Sequence, residues 1–371
     1  MYHVRQATIQ DWPSIRDFIN RTYGSSAHYK DYPRWHWQFR DTPYQREPDD
    51  YMPVWIALQG DRVVGQIALQ PSLLRLGMEA IPASWIVDVM VDQAHRGRGL
   101  GRRINDAIVA SGRLLITLTM APATRSIMEA ADCVTLPPVQ QMVRLNQLSG
   151  TTVALLLERI ADNRARWRHP ISLFNRSLMG PALLARGLSL VARFQRGAAL
   201  SSSLPMREIV ALDAATIDRL AGLLTTKVGA SFDRSASFHT WRFNGAPDLA
   251  YRFAEVDAPA RALVTWRLPR PVELPIGTLV DLLADPTDRT ALLAGIDHAI
   301  TEMTNCEAII AGASDLRFVN ALRSRGFVTV KTHHPTAVST DRALLTRIAA
   351  EDRWHFTKAD HDWDQIHPAT H

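Results

Sequence analysis

The sequence predicts a fold of the α/β class, more specifically an α+β arrangement in which helices cover a mixed sheet. It also predicts that this arrangement occurs twice along the chain. Its 371 residues are too many for one compact core and suit two domains of about 150 residues each. Apolar residues make up 46% of the chain, which is enough to bury two cores. The patterns follow the order helix, hairpin, buried strand, helix, strand and helix, which is typical of an α/β sandwich.

An internal repeat supports the two-domain interpretation. The segment WQF at residues 37–39 has a proline six residues after its tryptophan, and the segment WRF at 241–243 has the same spacing. Farther along, IVDVMVD at 86–92 corresponds to LVDLLAD at 279–285. We interpret the two halves as the products of a duplication.

Each half opens with an amphipathic helical pattern and continues into two strand-like arms. The helical patterns begin at Ala7 and Ala211, and the strand-like arms cover residues 54–70 and 251–268. The first pair of arms flanks Gly60-Asp61, which is typical of a hairpin turn. Both halves therefore predict the same order of elements.

The repeat predicts a first domain over residues 1–148, a helical linker over 149–205, a second domain over 206–345 and a C-terminal tail over 346–371. The linker is predicted to be a pair of connecting helices packed on both domains. Because its polar face is rich in arginine, a helix that rests on a membrane surface is the alternative. The tail is expected to be an added strand or partly disordered.

Charge and cysteine content exclude several classes of protein. The net charge of +5 is too small to indicate nucleic-acid binding, so no nucleic-acid partner is expected. Cys133 and Cys306 match no metal-binding spacing, so both thiols are expected to be reduced and packed, and no metal is expected. The sequence has no recognisable secretory signal and no run of about 20 apolar residues that could span a membrane. A cytoplasmic location and a monomer or homodimer are expected.

Residues 91–103, VDQAHRGRGLGRR, join the buried strand to a helix and combine three glycines with four arginines. Glycine lets the backbone approach an anion, and the first turn of a helix offers unpaired N–H groups at the positive end of its dipole. The loop lacks the lysine of a P-loop, and its glycine spacing does not match a dinucleotide fingerprint. Its chemistry predicts a diphosphate site.

The loop resembles the Arg-x-x-Gly-x-Gly signature of the GCN5-related N-acetyltransferase (GNAT) superfamily, with Arg96, Gly99 and Gly101 at the signature positions. The resemblance implies that main-chain amides of the loop bind the pyrophosphate of an acyl-coenzyme A. It also implies that a main-chain N–H near Met90 or Val91 polarises the thioester carbonyl. The implied coenzyme-binding residues are Met90, Val91, Arg96, Gly97, Arg98, Gly99, Leu100, Gly101 and Arg102.

The second half keeps the buried strand and loses the loop. After LVDLLAD, Asp285 and Asp288 stand where the glycines and arginines would be, and their carboxylates would repel a diphosphate. Residues 321–327, ALRSRGF, resemble the Leu-x-x-x-Gly-Phe end of a family helix. The resemblance therefore implies two GNAT-like domains in tandem, of which the C-terminal one is degenerate.

The sequence does not assign a catalytic residue, and two candidates for the general base are Asp88 and His36. Asp88 lies in the buried strand, where burial raises a carboxyl pKa. Its counterpart in the degenerate half is Asp281, and a residue shared by both halves favours an architectural role. In the family, bases on this strand stand an even number of residues before the position of Val91, whereas Asp88 stands three residues before it. His36 lies in the segment WHWQF, where the family often builds the acceptor pocket. The tyrosine that many members use as general acid is absent.

The function that the resemblance implies is acyl-CoA-dependent N-acyl transfer, with acetyl-CoA as co-substrate and a primary amine of a small molecule or amino sugar as acceptor. The amine would attack the thioester directly. Two alternatives are an aminoacyl-tRNA-dependent ligase of the tandem GNAT type that modifies peptidoglycan and a non-catalytic acyl-CoA-binding protein. Affinity for coenzyme A would distinguish the N-acyltransferase from the tRNA-dependent ligase. Turnover with an amine would distinguish it from the non-catalytic binding protein.

Overall fold

The structure, a computed structural model, describes residues 2–24, 27, 30–163, 168–177, 180–195 and 204–364. The chain divides into two compact units, each assembled from three segments. The first unit contains Met1–Pro138, Val228–Leu249 and His333–His355; the second contains Val139–Lys227, Ala250–Thr332 and Phe356–His371.

The described part of the chain forms strands, helices and a few short turns of other helical types. In chain order the strands are β1 (Tyr2–Thr8), β2 (Tyr51–Gln59), β3 (Arg62–Leu76), β4 (Glu79–Val91), β5 (Leu114–Thr117), β6 (Val134–Thr135), β7 (Val139–Leu145), β8 (Met206–Ile209), β9 (Ala230–Phe232), β10 (Tyr251–Val256), β11 (Ala262–Arg267), β12 (Ile276–Ala284), β13 (Ala308–Ala313), β14 (Val328–His333), β15 (Thr336–Val338) and β16 (Trp354–His355). The α-helices are α1 (Trp12–Tyr23), α2 (Tyr32–Phe39), α3 (Leu100–Val109), α4 (Pro122–Glu129), α5 (Gly150–Asn163), α6 (Arg168–Arg176), α7 (Gly180–Gln195), α8 (Ala214–Lys227), α9 (Ala236–His239), α10 (Arg289–Glu302), α11 (Leu316–Arg323) and α12 (Arg342–Ala350). Short 3-10 or π turns lie at Ile9–Asp11, Gln93–His95, Thr240–Asn244 and Asp362–Asp364.

Each unit is built on one mixed sheet, as the sequence predicts. Within the described residues, the first sheet has the strand order β1-β2-β3-β4-β5-β15-β6, and β9 pairs with both β3 and β16. The second sheet has the order β14-β7-β13-β12-β11-β10-β8. In each sheet a long buried strand runs parallel to the strand that follows the next helix, β4 with β5 and β12 with β13.

The units do not coincide with the sequence domains predicted from the repeat. Strand β7 lies inside the predicted first domain, yet it pairs with β13 in the second sheet. Strands β9 and β15 lie inside the predicted second domain and pair in the first sheet. An alternating apolar pattern gives the side-chain faces of a strand and not its neighbour, so the exchange of short strands leaves no local signal.

The first helix begins later than its pattern predicts because a strand precedes it. Residues 2–8 form β1, which pairs antiparallel with β2, and the helix starts at Trp12 with a proline in its first turn. Its buried residues, Ile15, Phe18 and Ile19, recur at helical spacing and face the sheet of the first unit. The hairpin predicted at Gly60-Asp61 is present between β2 and β3.

The repeated tryptophan motifs meet inside the first unit. The indole N–H of Trp37 donates to the carbonyl oxygen of Trp241 at 2.8 Å, and the indole N–H of Trp241 donates to the carbonyl oxygen of Trp37 at 2.9 Å. Their rings are stacked with centroids 5.1 Å apart. The two copies of the motif thus make the same contact with each other, which agrees with the duplication inferred from the repeat.

The predicted linker forms α5, α6 and α7, three helices where the sequence predicted two. They belong to the second unit, in which the hydroxyl of Ser189 on α7 accepts a hydrogen bond from the amide of Leu148 at 3.0 Å. The residues that the structure describes include no helix that is both long and apolar enough to cross a membrane.

Candidate functional site

The candidate site lies where β4 and β5 separate. The two strands pair at three positions, from Ala83↔Leu114 to Trp85↔Ile116, and no farther. On its other side β4 remains paired with β3 as far as Gly65↔Val91. Residues 86–91 therefore keep one backbone edge that β5 does not cover.

A β-bulge in β4 accompanies the separation. Ala68 pairs with Val87 and Gln66 pairs with Met90, so Asp88 and Val89 together oppose a single residue of β3. Asp88 has a φ of 51°, in the left-handed region that aspartate and asparagine adopt more readily than most residues. A bulge bends a strand and increases its local twist, which directs the end of β4 away from β5.

The uncovered edge of β4 forms one wall of a cleft with a volume of about 580 Å³. Residues of β4, of the glycine loop and of α4 line it. They are Thr22, Val89, Met90, Val91, His95, Arg96, Gly97, Gly99, Leu100, Gly101, Arg102, Ala121, Thr124 and Ile127. Eight of the nine residues predicted from the GNAT signature are thus brought together, and Arg98 is not among the lining residues.

The direction of the backbone distinguishes Met90 from Val91. The amide of Asp92 donates to the carbonyl oxygen of Val64 on β3 at 2.9 Å. Because N–H groups alternate in direction along a strand, Met90 directs its amide toward β3 and Val91 directs its amide toward the uncovered edge. Of the two residues, Val91 has the amide that faces the cleft.

The glycine loop presents main-chain amides at the start of α3. Gly97 and Gly99 have φ values of 74° and 70°, and a Cβ built on either would meet no atom within 4 Å. Glycine is therefore favoured by backbone conformation here and not by lack of space. The amide of Arg103 is bonded to the carbonyl oxygen of Gly99 at 3.1 Å, and the amides of the preceding helical turn have no acceptor within the helix. These amides and the helix dipole can bind an anion.

The four arginines of the loop have different contacts. Arg96 donates through Nε to the carbonyl oxygen of Val91 at 3.0 Å, which ties the loop to the end of β4. Arg98 and Arg103 donate to the hydroxyl and carbonyl oxygens of Tyr2 at 3.2 and 3.0 Å. Arg102 is 67% exposed at its side chain, and its nearest carboxylate, Asp106, is 3.8 Å away. Arg96 and Arg102 line the cleft and can reach a phosphate there.

Asp88 does not line the cleft and is paired with a lysine. Its carboxylate accepts a hydrogen bond from the ammonium of Lys30, and the two side chains are only 8% and 6% exposed. Sequence analysis missed Lys30, which is far from Asp88 along the chain and has no local signal. The bulge also removes the basis for counting residues from Asp88 to Val91, because side-chain direction no longer alternates through it.

His36, the other candidate for the general base, does not line the cleft. His36 is on α2, where its Nδ1 is 3.0 Å from the carboxylate of Asp41 and its ring lies against Tyr32. Burial, together with the nearby Glu129 carboxylate, raises the pKa of the Cys133 thiol, so this cysteine is protonated at neutral pH. Helix α4 contributes Thr124 to the lining of the cleft.

The corresponding place in the second sheet is closed. β12 and β13 also pair at three positions and then separate, but the space between them has a volume of only about 20 Å³. The C-terminal segment of the chain fills it: Thr357 forms a β-bridge with Ala313, and its hydroxyl donates to the carboxylate of Asp281 at 2.8 Å. A Cβ on Gly312 would lie 2.6 Å from the ring of Trp363. The second sheet therefore offers no cleft between these two strands.

The segment that closes the second sheet contains a lysine whose burial predicts a pH effect. Burial lowers the pKa of Lys358 from 10.5 to about 7, and its ammonium lies 3.9 Å from the ring centroid of Trp363. Between these two pKa values the unfolded chain binds more protons than the folded one, so this lysine destabilises the fold fully below pH 7 and not at all above pH 10.5.

We expect the free energy of unfolding to rise with pH across that window, by up to about 1.4 kcal/mol per pH unit from this group. Urea denaturation from pH 7 to pH 10 measures the slope, and Lys358→Met is expected to flatten it. An equal slope in the native protein and the variant would contradict the assignment.

Comparison with known proteins agrees with the geometry. Residues 3–112 match the acetyltransferase (GNAT) domain family. A sequence comparison with functionally curated proteins finds no match.

Solved structures share the fold over nearly the whole chain. A GCN5-related N-acetyltransferase from Anabaena variabilis has a TM-score of 0.58 at 9% identity, over 91% of this chain and 72% of that one. A GCN5-related N-acetyltransferase from Kribbella flavida has a TM-score of 0.54 at 13% identity, over 96% and 81% of the two chains. N-myristoyltransferase from Saccharomyces cerevisiae, solved with bound myristoyl-CoA and inhibitors, has a TM-score of 0.56 at 11% identity, over 91% and 78%.

The likeness to these structures extends over both units, whereas the family match is confined to the first third of the chain. Residues 3–112 therefore match a GNAT domain, and the fold of the whole chain is that of solved structures of GCN5-related N-acetyltransferases and an N-myristoyltransferase.

Proposed function

We propose that the first unit transfers an acyl group, in the first instance acetyl, from acyl-coenzyme A to a primary amine. The observation that carries this proposal is the joining of two features in one cleft. An uncovered strand edge can pair with the amide groups of the pantetheine arm, and a glycine loop at a helix start can bind the diphosphate. A thioester held there supplies an acyl carbon that is activated toward an amine.

Residues of the chain would bind and orient the two substrates. The amides of residues 97–102 and the side chains of Arg96 and Arg102 would hold the diphosphate. The amide of Val91, at the open edge of β4, would donate a hydrogen bond to the acyl carbonyl and stabilise negative charge on its oxygen. The amine would approach from the open side of the cleft, and no side chain is assigned here as its base.

The length of the acyl chain is the next property to test, because one of the similar structures contains myristoyl-CoA. Stabilisation of the native protein should be measured with coenzyme A, acetyl-CoA, decanoyl-CoA and myristoyl-CoA. Acetyl-CoA is expected to stabilise the protein as strongly as any of the longer thioesters. A marked preference for myristoyl-CoA would replace acetyl by a long acyl group and leave the site assignment intact.

Turnover is measured with a thiol reagent that detects the free coenzyme A released from acetyl-CoA. The acceptors tested are a panel of small amines and amino sugars. The chain's own thiols add little background, because burial raises the pKa of both Cys133 and Cys306. We expect release that depends on one class of amine. Binding without turnover on every amine would favour a non-catalytic acyl-CoA-binding protein, and the absence of binding would exclude acyl-CoA chemistry.

A further inference from the structure

Helix α7 of the second unit has two apolar faces and buries only one. Ala185, Ser189 and Ala192 are buried and recur at helical spacing on the inner face. The other face carries exposed leucines and a valine at fractional exposures from 37% to 56%. They are Leu183, Leu184, Leu188, Leu190 and Val191. A contiguous exposed apolar face on a helix is typical of a surface that contacts another molecule or a membrane.

The neighbouring helix extends the same exposed surface. On α6, Leu173 and Phe174 are 57% and 37% exposed. A Cβ on Gly180, the first residue of α7, would lie 2.9 Å from the carbonyl oxygen of Phe174, so the end of α6 adjoins the start of α7. We call the seven exposed apolar residues of α6 and α7 the apolar patch.

The charge of the chain is concentrated in this part of the sequence. Residues 150–196 contain eight arginines, two acidic residues and no lysine, a net charge of +6. The whole chain carries +5, so all other residues together are close to neutral. Arg186, which is exposed, stands between the leucines of α7 in the sequence. The apolar patch thus belongs to a basic stretch of the sequence that is separate from the glycine loop.

We infer that the apolar patch docks on the surface of an anionic lipid bilayer, with α6 and α7 lying in the plane of the interface. Exposed leucine and phenylalanine on a helix with arginines beside them is the composition of interfacial helices, whose apolar face enters roughly 5–10 Å into the headgroup boundary. Basic residues add attraction to anionic lipids. A second copy of the chain is a less favourable partner, because the two copies would bring together two segments that each carry a net charge of +6 in the sequence.

Co-sedimentation of the full-length protein with vesicles tests the inference. Vesicles of phosphatidylglycerol and phosphatidylcholine are compared with vesicles of phosphatidylcholine alone, at low and at high salt. The protein is expected to bind the anionic vesicles at least tenfold more tightly than the neutral ones, and high salt is expected to weaken the binding because ions screen exposed charges.

A variant and a matched control identify the surface. Leu183→Glu with Leu190→Glu places two negative charges on residues that are 56% and 55% exposed, so folding is expected to be retained and lipid binding to fall at least tenfold. Val210→Glu with Val330→Glu adds the same charges at residues 98% and 56% exposed elsewhere in the second unit, and is expected to bind as the native protein does. Thermal unfolding confirms that both variants fold.

Three results would overturn the inference. One is the absence of binding to anionic vesicles, and another is binding that both double variants reduce equally. The third is a dimer in sedimentation velocity that Leu183→Glu with Leu190→Glu dissociates while the native protein leaves vesicles unbound, which would make a second copy the partner.

Discussion

Replacing Gly99 by glutamate is expected to remove the stabilisation that coenzyme A gives to the folded protein. Gly99 has a φ of 70° at the start of α3, where a residue with a Cβ costs about 1–2 kcal/mol. The glutamate would also bring negative charge to the helix end at which we propose the diphosphate binds. The expected loss in affinity is at least a hundredfold.

The measurement is the unfolding temperature with and without ligand. At roughly 100 times its Kd, a ligand stabilises the native state by about 2.7 kcal/mol. For a unit of about 150–250 residues this corresponds to a rise in Tm of several degrees. We expect that rise with acetyl-CoA for the native protein and no rise for Gly99→Glu.

Gly60→Glu is a matched control within the same unit. Gly60 has a φ of 59° in the turn between β2 and β3, and a Cβ there also meets no atom within 4 Å. The control therefore introduces the same backbone strain and the same charge at a position that does not line the cleft. It is expected to lower the Tm of the free protein and to keep the full shift with acetyl-CoA. A native-sized shift in Gly99→Glu would mean that the loop does not bind the diphosphate.

The glycine loop could be predicted from the sequence because its signal is local. Gly97 and Gly99 stand between a strand and the helix that begins at Leu100, and glycine spacing together with a helix start predicts an anion site. The fold could be predicted for a similar reason, since the repeat shows the same order of elements twice. Each element in these predictions is recognised from a local pattern of fewer than about 20 residues, and the repeat adds a comparison between two sets of such patterns.

The rest of the site depends on contacts between distant residues. Thr124 and Ile127 form the far wall of the cleft, and nothing in their own segment places them beside Val91. The closing of the second sheet by Thr357 depends in the same way on a segment from the end of the chain. One feature of the site has a local signal in the sequence. Asp88 is an aspartate inside an otherwise apolar strand, which is compatible with a left-handed residue at a β-bulge.

Replacing Asp88 by asparagine is expected to reduce stability more than catalysis. The Asp88 and Lys30 side chains form an ion pair and are 8% and 6% exposed, and removing one partner of a buried pair typically costs about 3–5 kcal/mol because the other charge is left unpaired. Asparagine adopts left-handed φ as readily as aspartate, so the substitution tests the charge without straining the bulge. Urea denaturation is expected to show this loss.

Lys30→Met and the double variant that combines it with Asp88→Asn complete a double-mutant cycle. If the pair is the main interaction of both groups, the double variant is expected to lose less free energy of unfolding than the sum of the two single variants. Turnover per folded molecule is expected to stay within tenfold of native in Asp88→Asn. A fall in kcat of about 10²–10⁴, with loss of the acidic limb of the pH profile and little change in stability, would instead identify Asp88 as the general base.

The corresponding aspartate of the second sheet explains why we expect Asp88 to have a structural role. Asp281 stands beside a register shift in β12, as Asp88 stands at the bulge in β4. Each carboxylate accepts a hydrogen bond from a buried partner, the ammonium of Lys30 in one sheet and the hydroxyl of Thr357 in the other. The second sheet has no open cleft at this position, so its aspartate has no acyl transfer to catalyse there. A role in anchoring the separated strand accounts for both aspartates, whereas a role as base accounts for one.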